Sequence, residues 1–312
     1  MDLIETTYEK EKLIAKEHCI FRTLTGSRLY GTFMEDSDYD YKGVAIPPKE
    51  YFFGLRKFEQ FEDRETDNVI YNIKKAVGLM VNNNPNMMDM LFAPKDFWDI
   101  SDPIWNNIYD VRYMFLSNQV KRTFTSYAAQ QLKRMESHKS WLTKKPAKPE
   151  KPESTDNTKQ FSKAILSIPE KFLTTGLHEQ VKAEKTYQKE LADYKAYNDH
   201  MEKRNPERLK TEMIVGYDTK HAMHIIRLLK QSKEIFETGE VIVNRTGIDA
   251  DELLEIRQGK WKYETIIELA RDLQSDIDTL YLTSQFPETP DRHKVEKLLV
   301  GVMEEYFYRE KS

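Results

Sequence analysis

Apolar positions cluster in two short runs near the N-terminus, residues 19–25 (CIFRTLT) and 41–46 (YKGVAI), each ended by a turn-forming residue as in a β-strand. Between them the pattern predicts a short helical segment around Ser27–Thr32, then an acidic, polar turn. A third β segment is expected near Phe58–Phe61 and a fourth near Asp67–Tyr71. From Ile73 the period changes. Ile73, Ala76, Val77 and Met80 fall at helical spacing, and Asn82-Asn83-Asn84-Pro85 stops that helix. Met87-Met88-Asp89-Met90-Leu91-Phe92 resumes apolar order and is expected to pack against the sheet.

Beyond about residue 104 strand signals nearly vanish. Residues 112–142 suit one or two helices, and 218–238, 249–258, 261–283 and 292–308 each carry helical periodicity. Residues 179–203 are highly charged, with Tyr187, Leu191 and Tyr194 forming a narrow seam, which suggests a surface helix or a lid. The proline–lysine–glutamate tract at 144–153 cannot pack a core, so a mobile charged segment is expected at about 144–160. The fold class is therefore α+β. A small mixed sheet flanked by helices is expected over residues 1–104, and an all-helical domain over 105–312.

Composition narrows the setting. A chain of 312 residues suits about two domains. No run long and apolar enough to span a membrane exists, and MDLIETTYEKEKLIAKEH lacks the apolar core of a signal peptide. The lone Cys19 excludes an intramolecular disulfide, fits a reducing, cytoplasmic setting, and reads as a small buried hydrophobe. A formal net charge of −4 gives no general attraction to nucleic acid, although the lysines of 144–151 and 203–210 offer local contacts to a tRNA-like backbone.

Chemistry concentrates in Gly26-Ser27-Arg28-Leu29-Tyr30-Gly31 and the following Ser37-Asp38-Tyr39-Asp40. A Gly-Ser turn lets backbone N–H groups approach a phosphate, and carboxylates at alternate positions of an extended chain point the same way and can share divalent ions. The bland alternative, a solvated polar turn, fits a bare D-x-D; here the cluster follows a Gly-Ser turn and leads straight into the apolar strand, where unneutralised like charges repel. Gly31 is followed by Thr32-Phe33, not by the Lys of a P-loop, which excludes that NTPase motif. Tyr39 and Tyr41 alternate with the aspartates and are expected to face the core. Arg28 suits contact with phosphate, a surface position, or a pair with Asp36. In 218–231, Lys220, His224, Arg227 and Gln231 line one stripe of an otherwise apolar helix capped by Asp218 or Thr219. Cationic heads on an enclosed helix need anionic partners, either structural carboxylates or substrate phosphates. His221 and His224 lack the spacing of a zinc site.

The string GSRLYGTFMEDSDYDYKGVAI resembles the DNA polymerase β-like nucleotidyltransferase superfamily, and within it the nucleotidyltransferases inferred in bacteria and tailed phages. The resemblance extends through NNNPNMMDMLF (82–92), residues 204–229 and the Gly-Lys-Trp segment at 259–261. It implies transfer of a nucleoside monophosphate from an NTP, chiefly ATP, to an acceptor hydroxyl, with Mg²⁺ as cofactor and Mn²⁺ as a substitute. It implies Asp38 and Asp40 as metal ligands, a third carboxylate placed at Asp67 with Glu62, Asp63 and Glu65 competing, and polyphosphate held at Gly26 and Ser27. Asp36 is an addition to the simplest pattern, either solvated or supporting. The acceptor is left open among an RNA 3′ end, a protein and a small molecule. The competing expectations are a non-catalytic nucleotide-binding or interaction module and a helical nucleic-acid scaffold, the latter leaving the Gly-Ser and Asp-x-Asp arrangement unexplained.

Overall fold

The structure, a computed structural model, describes residues 2–35, 37–63, 67–152, 175–204 and 206–309. Helix α1 (Asp2–Glu17) leads into β1 (Cys19–Thr25), α2 (Gly26–Tyr30), β2 (Asp40–Ala45), α3 (Glu50–Phe53), β3 (Gln60–Asp63) and β4 (Asn68–Asn72). Two helices follow, α4 (Ile73–Val81) and α5 (Pro85–Leu91), then β5 (Trp98–Ser101) and the short α6 (Asn106–Tyr109). The remaining helices are α7 (Gln119–Thr143), α8 (Thr175–Lys203), α9 (Pro206–Val215), α10 (Thr219–Thr238), α11 (Ala250–Arg257), α12 (Tyr263–Leu282) and α13 (Arg292–Arg309).

The strands form one mixed sheet in the order β3-β4-β2-β1-β5, with β2 and β4 parallel and the other neighbours antiparallel. The register of β2 on β4 pairs Tyr41 with Asn68, Lys42 with Val69 and Val44 with Tyr71. Alternation then assigns the faces. Gly43, Ala45, Ile70 and Phe61 turn to one side, where Ile14 and Ala15 of α1 close a core that also holds Phe58. Asp40, Lys42, Val44, Val69 and Tyr71 turn to the other side, toward α4 and α5. Strands β1 and β2 approach closely at Gly43, where a Cβ would stand 2.3 Å from the Phe21 carbonyl oxygen. Phe21 itself is fully buried and stacks on Trp105 with ring centroids 4.1 Å apart.

Helix α4 starts where its sequence says it should. The Asn72 side chain accepts from the Lys74 N–H, and Ile73, Ala76, Val77, Met80 and Val81 are buried. Asn84 caps α5 by accepting from the Met87 N–H, with Pro85 at the first helical position. Asn83, in the left-handed conformation at φ 49°, donates to the Met80 and Phe115 carbonyls and accepts from Ser117, which fixes the sharp stop between the two helices.

Contacts divide the chain into two units, one of residues 1–133 with 219–312, the other of residues 134–218. The expected division after residue 104 follows the end of the strands, whereas the contacts group helices α10–α13 with the sheet. The smaller unit holds the end of α7 with α8 and α9. Within it the buried Asp218 carboxylate accepts from Arg204 at 2.7 Å and lies 3.2 Å from the His138 ring nitrogen, so this side chain is engaged in pairing. Trp141 meets Tyr197 edge-on at 5.9 Å, on the helix of the expected aromatic seam.

The small mixed sheet with flanking helices and the helical C-terminal region are as expected. The strand at Cys19–Thr25 has the bounds read from the sequence, and β2 starts one residue early at Asp40. The third strand is displaced to Gln60–Asp63, because Phe58 is buried ahead of it in the α1-side core. Helix α1 and strand β5 were not anticipated; half of α1 is charged and β5 is only four residues long. Residues 153–160 of the expected mobile tract lie outside the described residues. No helix among the described residues is long and apolar enough to cross a membrane.

Candidate active site

Strand β1 delivers the chain to Gly26, whose φ of 67° lies in the left-handed region open to glycine, and α2 runs from there to Gly31 at φ 74°. Side chains also crowd both glycines. A Cβ on Gly26 would lie 2.1 Å from Asp40 Oδ2, and one on Gly31 would lie 2.2 Å from Thr246 Oγ1. The Gly-Ser turn and the second aspartate are therefore in direct apposition. Thr25, which pairs with Asp40 across the strands, donates its hydroxyl to the Asp40 carbonyl at 3.1 Å.

The structure brings Asp38, Asp40 and Asp67 into one electrostatic group. Asp40 is half-buried, and Asp38 and Asp67 are exposed. Burial, then repulsion from Asp67, pushes the Asp40 carboxyl above its ordinary value; Lys220 and Lys42 pull it back in part, and Asp38 adds to the rise. Asp67 precedes β4 and stands beside Asp40 through the parallel register. Its φ of 48° lies in the left-handed region, which aspartate tolerates better than most residues with a side chain. Of the competing acids, Glu62 on β3 is exposed and its charge bears on Tyr71, whereas the largest acidic influence on Asp40 is Asp67. Asp36 and Glu65 lie outside the described residues.

The Asp-x-Asp loop is held by its backbone. Arg28 donates to the Ser37 carbonyl at 2.7 Å and to the Asp38 carbonyl at 3.2 Å. From the other side Arg257 donates to the Thr32 carbonyl at 2.7 Å and to the Ser37 hydroxyl at 3.3 Å. Arg28 thus spends its guanidinium on shaping the loop. The expectation that Tyr39 packs in the core is overturned, for it is 57% exposed and stacks on Arg28 with the guanidinium carbon 3.7 Å from the ring centroid. Tyr39 precedes β2, so strand alternation does not govern it. Tyr41, on the strand, is half-buried with Arg22 over its ring.

The α10 stripe divides between two tasks. Lys220 lies near enough to lower the Asp40 carboxyl, and His224, one turn on, is half-buried. Arg227 does not reach the Gly-Ser turn. It is buried, donates to Asp89 at 3.2 Å and to Gln231 at 3.1 Å, and lies over the Tyr30 ring at 3.8 Å. Asp89 also accepts from the Tyr30 hydroxyl at 2.8 Å and from Gln231 at 2.9 Å. Burial raises the Tyr30 hydroxyl far above its ordinary value, keeping it a neutral donor. The enclosed cation thus has a structural carboxylate as its partner, which is what an apolar helix demands of it.

Four residues of this scaffold were not singled out from the sequence. Asp89, a lone acid inside MMDML, carried a signal, because a charge in a buried run must be paired. Lys42, whose ammonium is pushed down by burial and supported by Asp89 and Asp40, lies on the same strand face as Asp40. Arg257 and the Arg245 backbone act on this site over long sequence separations and carried no local signal. The backbone N–H of Arg245 donates to the Tyr30 carbonyl at 3.0 Å, while its buried guanidinium is held by Glu234 and Asp249.

Residues 3–150 match the model of the RlaP family, described as an RNA repair pathway DNA polymerase beta family. The similarity to the DNA polymerase β-like superfamily is therefore shown for the part of the chain that holds the sheet, the Gly-Ser turn and the three aspartates. Over 299 residues the chain is 24% identical to an uncharacterized 38.9 kDa protein from the nrdC-mobD intergenic region of Enterobacteria phage T4, covering 83% of this chain and 88% of the phage protein. No solved structure matches the chain.

Proposed function

We propose that this protein is a metal-dependent nucleotidyltransferase that moves a nucleoside monophosphate from an NTP, ATP first among them, to the hydroxyl of an RNA end and releases pyrophosphate. The family match suggests nucleotidyltransferase activity. The observation that carries the finer reading is the meeting of Asp40, Asp38 and Asp67 beside a turn whose left-handed backbone favours glycine. Their mutual repulsion opposes folding, and a passive binding module has no reason to retain it. RNA is preferred to a protein or a small molecule as acceptor because the matching family is described by an RNA repair pathway.

The donor set fits hard divalent cations, since it consists of carboxylate oxygens. Asp38 and Asp40 would hold Mg²⁺, or Mn²⁺ in its place, with Asp67 as the third ligand. When bound, such ions supply Lewis acidity at the transferred phosphate and offset charge on the departing pyrophosphate. The chain supplies the rest. The N–H groups at Gly26 and Ser27 hold the polyphosphate tail, and Lys220 and His224 face that charge from α10. Asp67 orients the acceptor hydroxyl and takes its proton. Arg28 and Arg257 fix the carbonyls of the Asp-x-Asp loop, so the carboxylates need not reorganise during transfer.

Incubation with each α-³²P-labelled NTP and RNA 3′ ends, with and without Mg²⁺, tests this directly. Label entering RNA only with the metal, and lost in Asp40→Asn, is the expected result. Label appearing solely on protein or small molecules would remove the RNA acceptor, and no incorporation or pyrophosphate release with any acceptor would remove the activity.

A further inference from the structure

Beside the three aspartates lies a surface that the transfer reaction leaves unused. Tyr39, between Asp38 and Asp40, is 57% exposed; Phe33 is 50% and Met34 39% exposed on the same loop. Both aromatic rings meet the Arg28 guanidinium, whose carbon lies 3.7 Å from the Tyr39 centroid and 5.3 Å from that of Phe33. The guanidinium cannot swing away freely, because it also donates to the Ser37 and Asp38 carbonyls. Two large apolar rings are therefore kept in place at the rim of an acidic cluster, with much of their surface in water. What sets them apart from other exposed hydrophobics is that one hydrogen-bonded guanidinium holds both rings beside the aspartates.

We propose that Tyr39 and Phe33, clamped by Arg28, form a stacking platform for unpaired bases of the RNA acceptor strand near its reacting end. This rests on the nucleotidyl-transfer reading and adds a subsite to it. Stacking on aromatic and guanidinium planes is the usual way single strands are gripped without reading their sequence. The strand is preferred to the base of the incoming NTP on grounds of shape. A mononucleotide base is held in a concave site that covers most of it, whereas these rings stand out into solvent along an open loop. The platform also relieves an electrostatic difficulty. An acidic chain has little general attraction for RNA, and stacking supplies affinity that does not depend on net charge.

The test is binding, measured apart from turnover. A fluorescein-labelled eight-nucleotide adenosine RNA is titrated with wild type, Tyr39→Leu, Phe33→Leu and Tyr39→Phe, and Mg-ATP affinity is measured calorimetrically on each. Tyr39→Leu and Phe33→Leu should each weaken RNA binding by about 5- to 150-fold, the worth of one stacked base. Tyr39→Phe should bind within about twofold of wild type, since it keeps the ring face. ATP affinity should be the same in all four. A 2-aminopurine near the RNA 3′ end should be quenched by wild type and brightened in the leucine variants. RNA affinity unchanged in both leucine variants overturns the platform, and an equal loss of ATP affinity reassigns it to the donor base and overturns the proposal. Should Tyr39→Leu also lower the melting temperature, Phe33→Leu decides alone. The fates of the two readings separate through Asp40→Asn, which should lose transfer yet bind RNA as wild type does. Wild-type transfer to a non-RNA acceptor without RNA binding would sink the platform and leave the activity standing.

Discussion

Replacing Asp89 by Ala should destabilise the sheet-bearing unit by about 4 kcal/mol. Asp89 is 1% exposed and is the common acceptor for Tyr30 at 2.8 Å, Gln231 at 2.9 Å and Arg227 at 3.2 Å. Removing one partner of a buried ion pair costs roughly 3–5 kcal/mol, because the remaining charge has no compensation. The two neutral donors add about 1–3 kcal/mol each when they lose an acceptor singly, but here they share one vacated space, so their costs overlap with that of the charge. At about 2–4 °C per kcal/mol for a unit of this size, the melting temperature should fall by roughly 8–16 °C. Differential scanning calorimetry reads the shift directly. The decisive arm is a double-mutant cycle with Arg227→Met. If the pair is what matters, Asp89→Ala on the Arg227→Met background should cost less by about 2 kcal/mol or more. A melting shift below about 3 °C for Asp89→Ala, or costs that simply add in the double variant, would refute the reasoning.

Asp40→Asn should melt higher than wild type in metal-free buffer while losing at least about a hundredfold in transfer. The sign follows from its raised carboxyl: the folded state holds that proton more tightly than the unfolded chain, so the Asp40 contribution is full in acid and lost as pH rises through the raised value. The thermal advantage of the Asn variant should therefore vanish at low pH and open above the usual carboxylate range; a constant advantage at all pH values would remove repulsion as its cause. Gly26→Ala should lose both stability and Mn²⁺ affinity, since its Cβ would strike the Asp40 carboxylate at 2.1 Å; normal Mn²⁺ binding by electron paramagnetic resonance would contradict the apposition. Arg257→Met should release the Thr32 carbonyl and the Ser37 hydroxyl at a cost of about 1.5–3 kcal/mol, and its transfer defect should lie in kcat rather than in KM for ATP. Cys19, whose thiol is pushed up to about 11 chiefly by burial, should resist Ellman's reagent at pH 8 until the protein is unfolded.

How much of this was legible in the chain follows from how local each signal is. Strand β1, the Asn-Asn-Asn-Pro stop and the boundaries of α10–α13 were readable because period, capping side chains and proline act within a few residues. Strand β5 was not, since the four residues from Trp98 become a strand only by pairing with β1. Asp38 and Asp40 were marked by their spacing from a Gly-Ser turn, and the parallel register that sets Asp67 beside Asp40 is a tertiary fact. The α10 stripe shows the limit most clearly. Its cations announced that carboxylates or phosphates must face them, but the sequence could not say which. Arg227 took the structural alternative, while the Lys220 charge bears on Asp40, two turns apart on one helix. That division has a consequence for function. Through Tyr30, the last residue of α2, the Asp89–Arg227 pair is hydrogen-bonded to the same short helix that begins at Gly26. The Arg227 guanidinium therefore supports that helix through Asp89, and under the proposed reading the polyphosphate falls to backbone N–H groups, Lys220 and His224 instead.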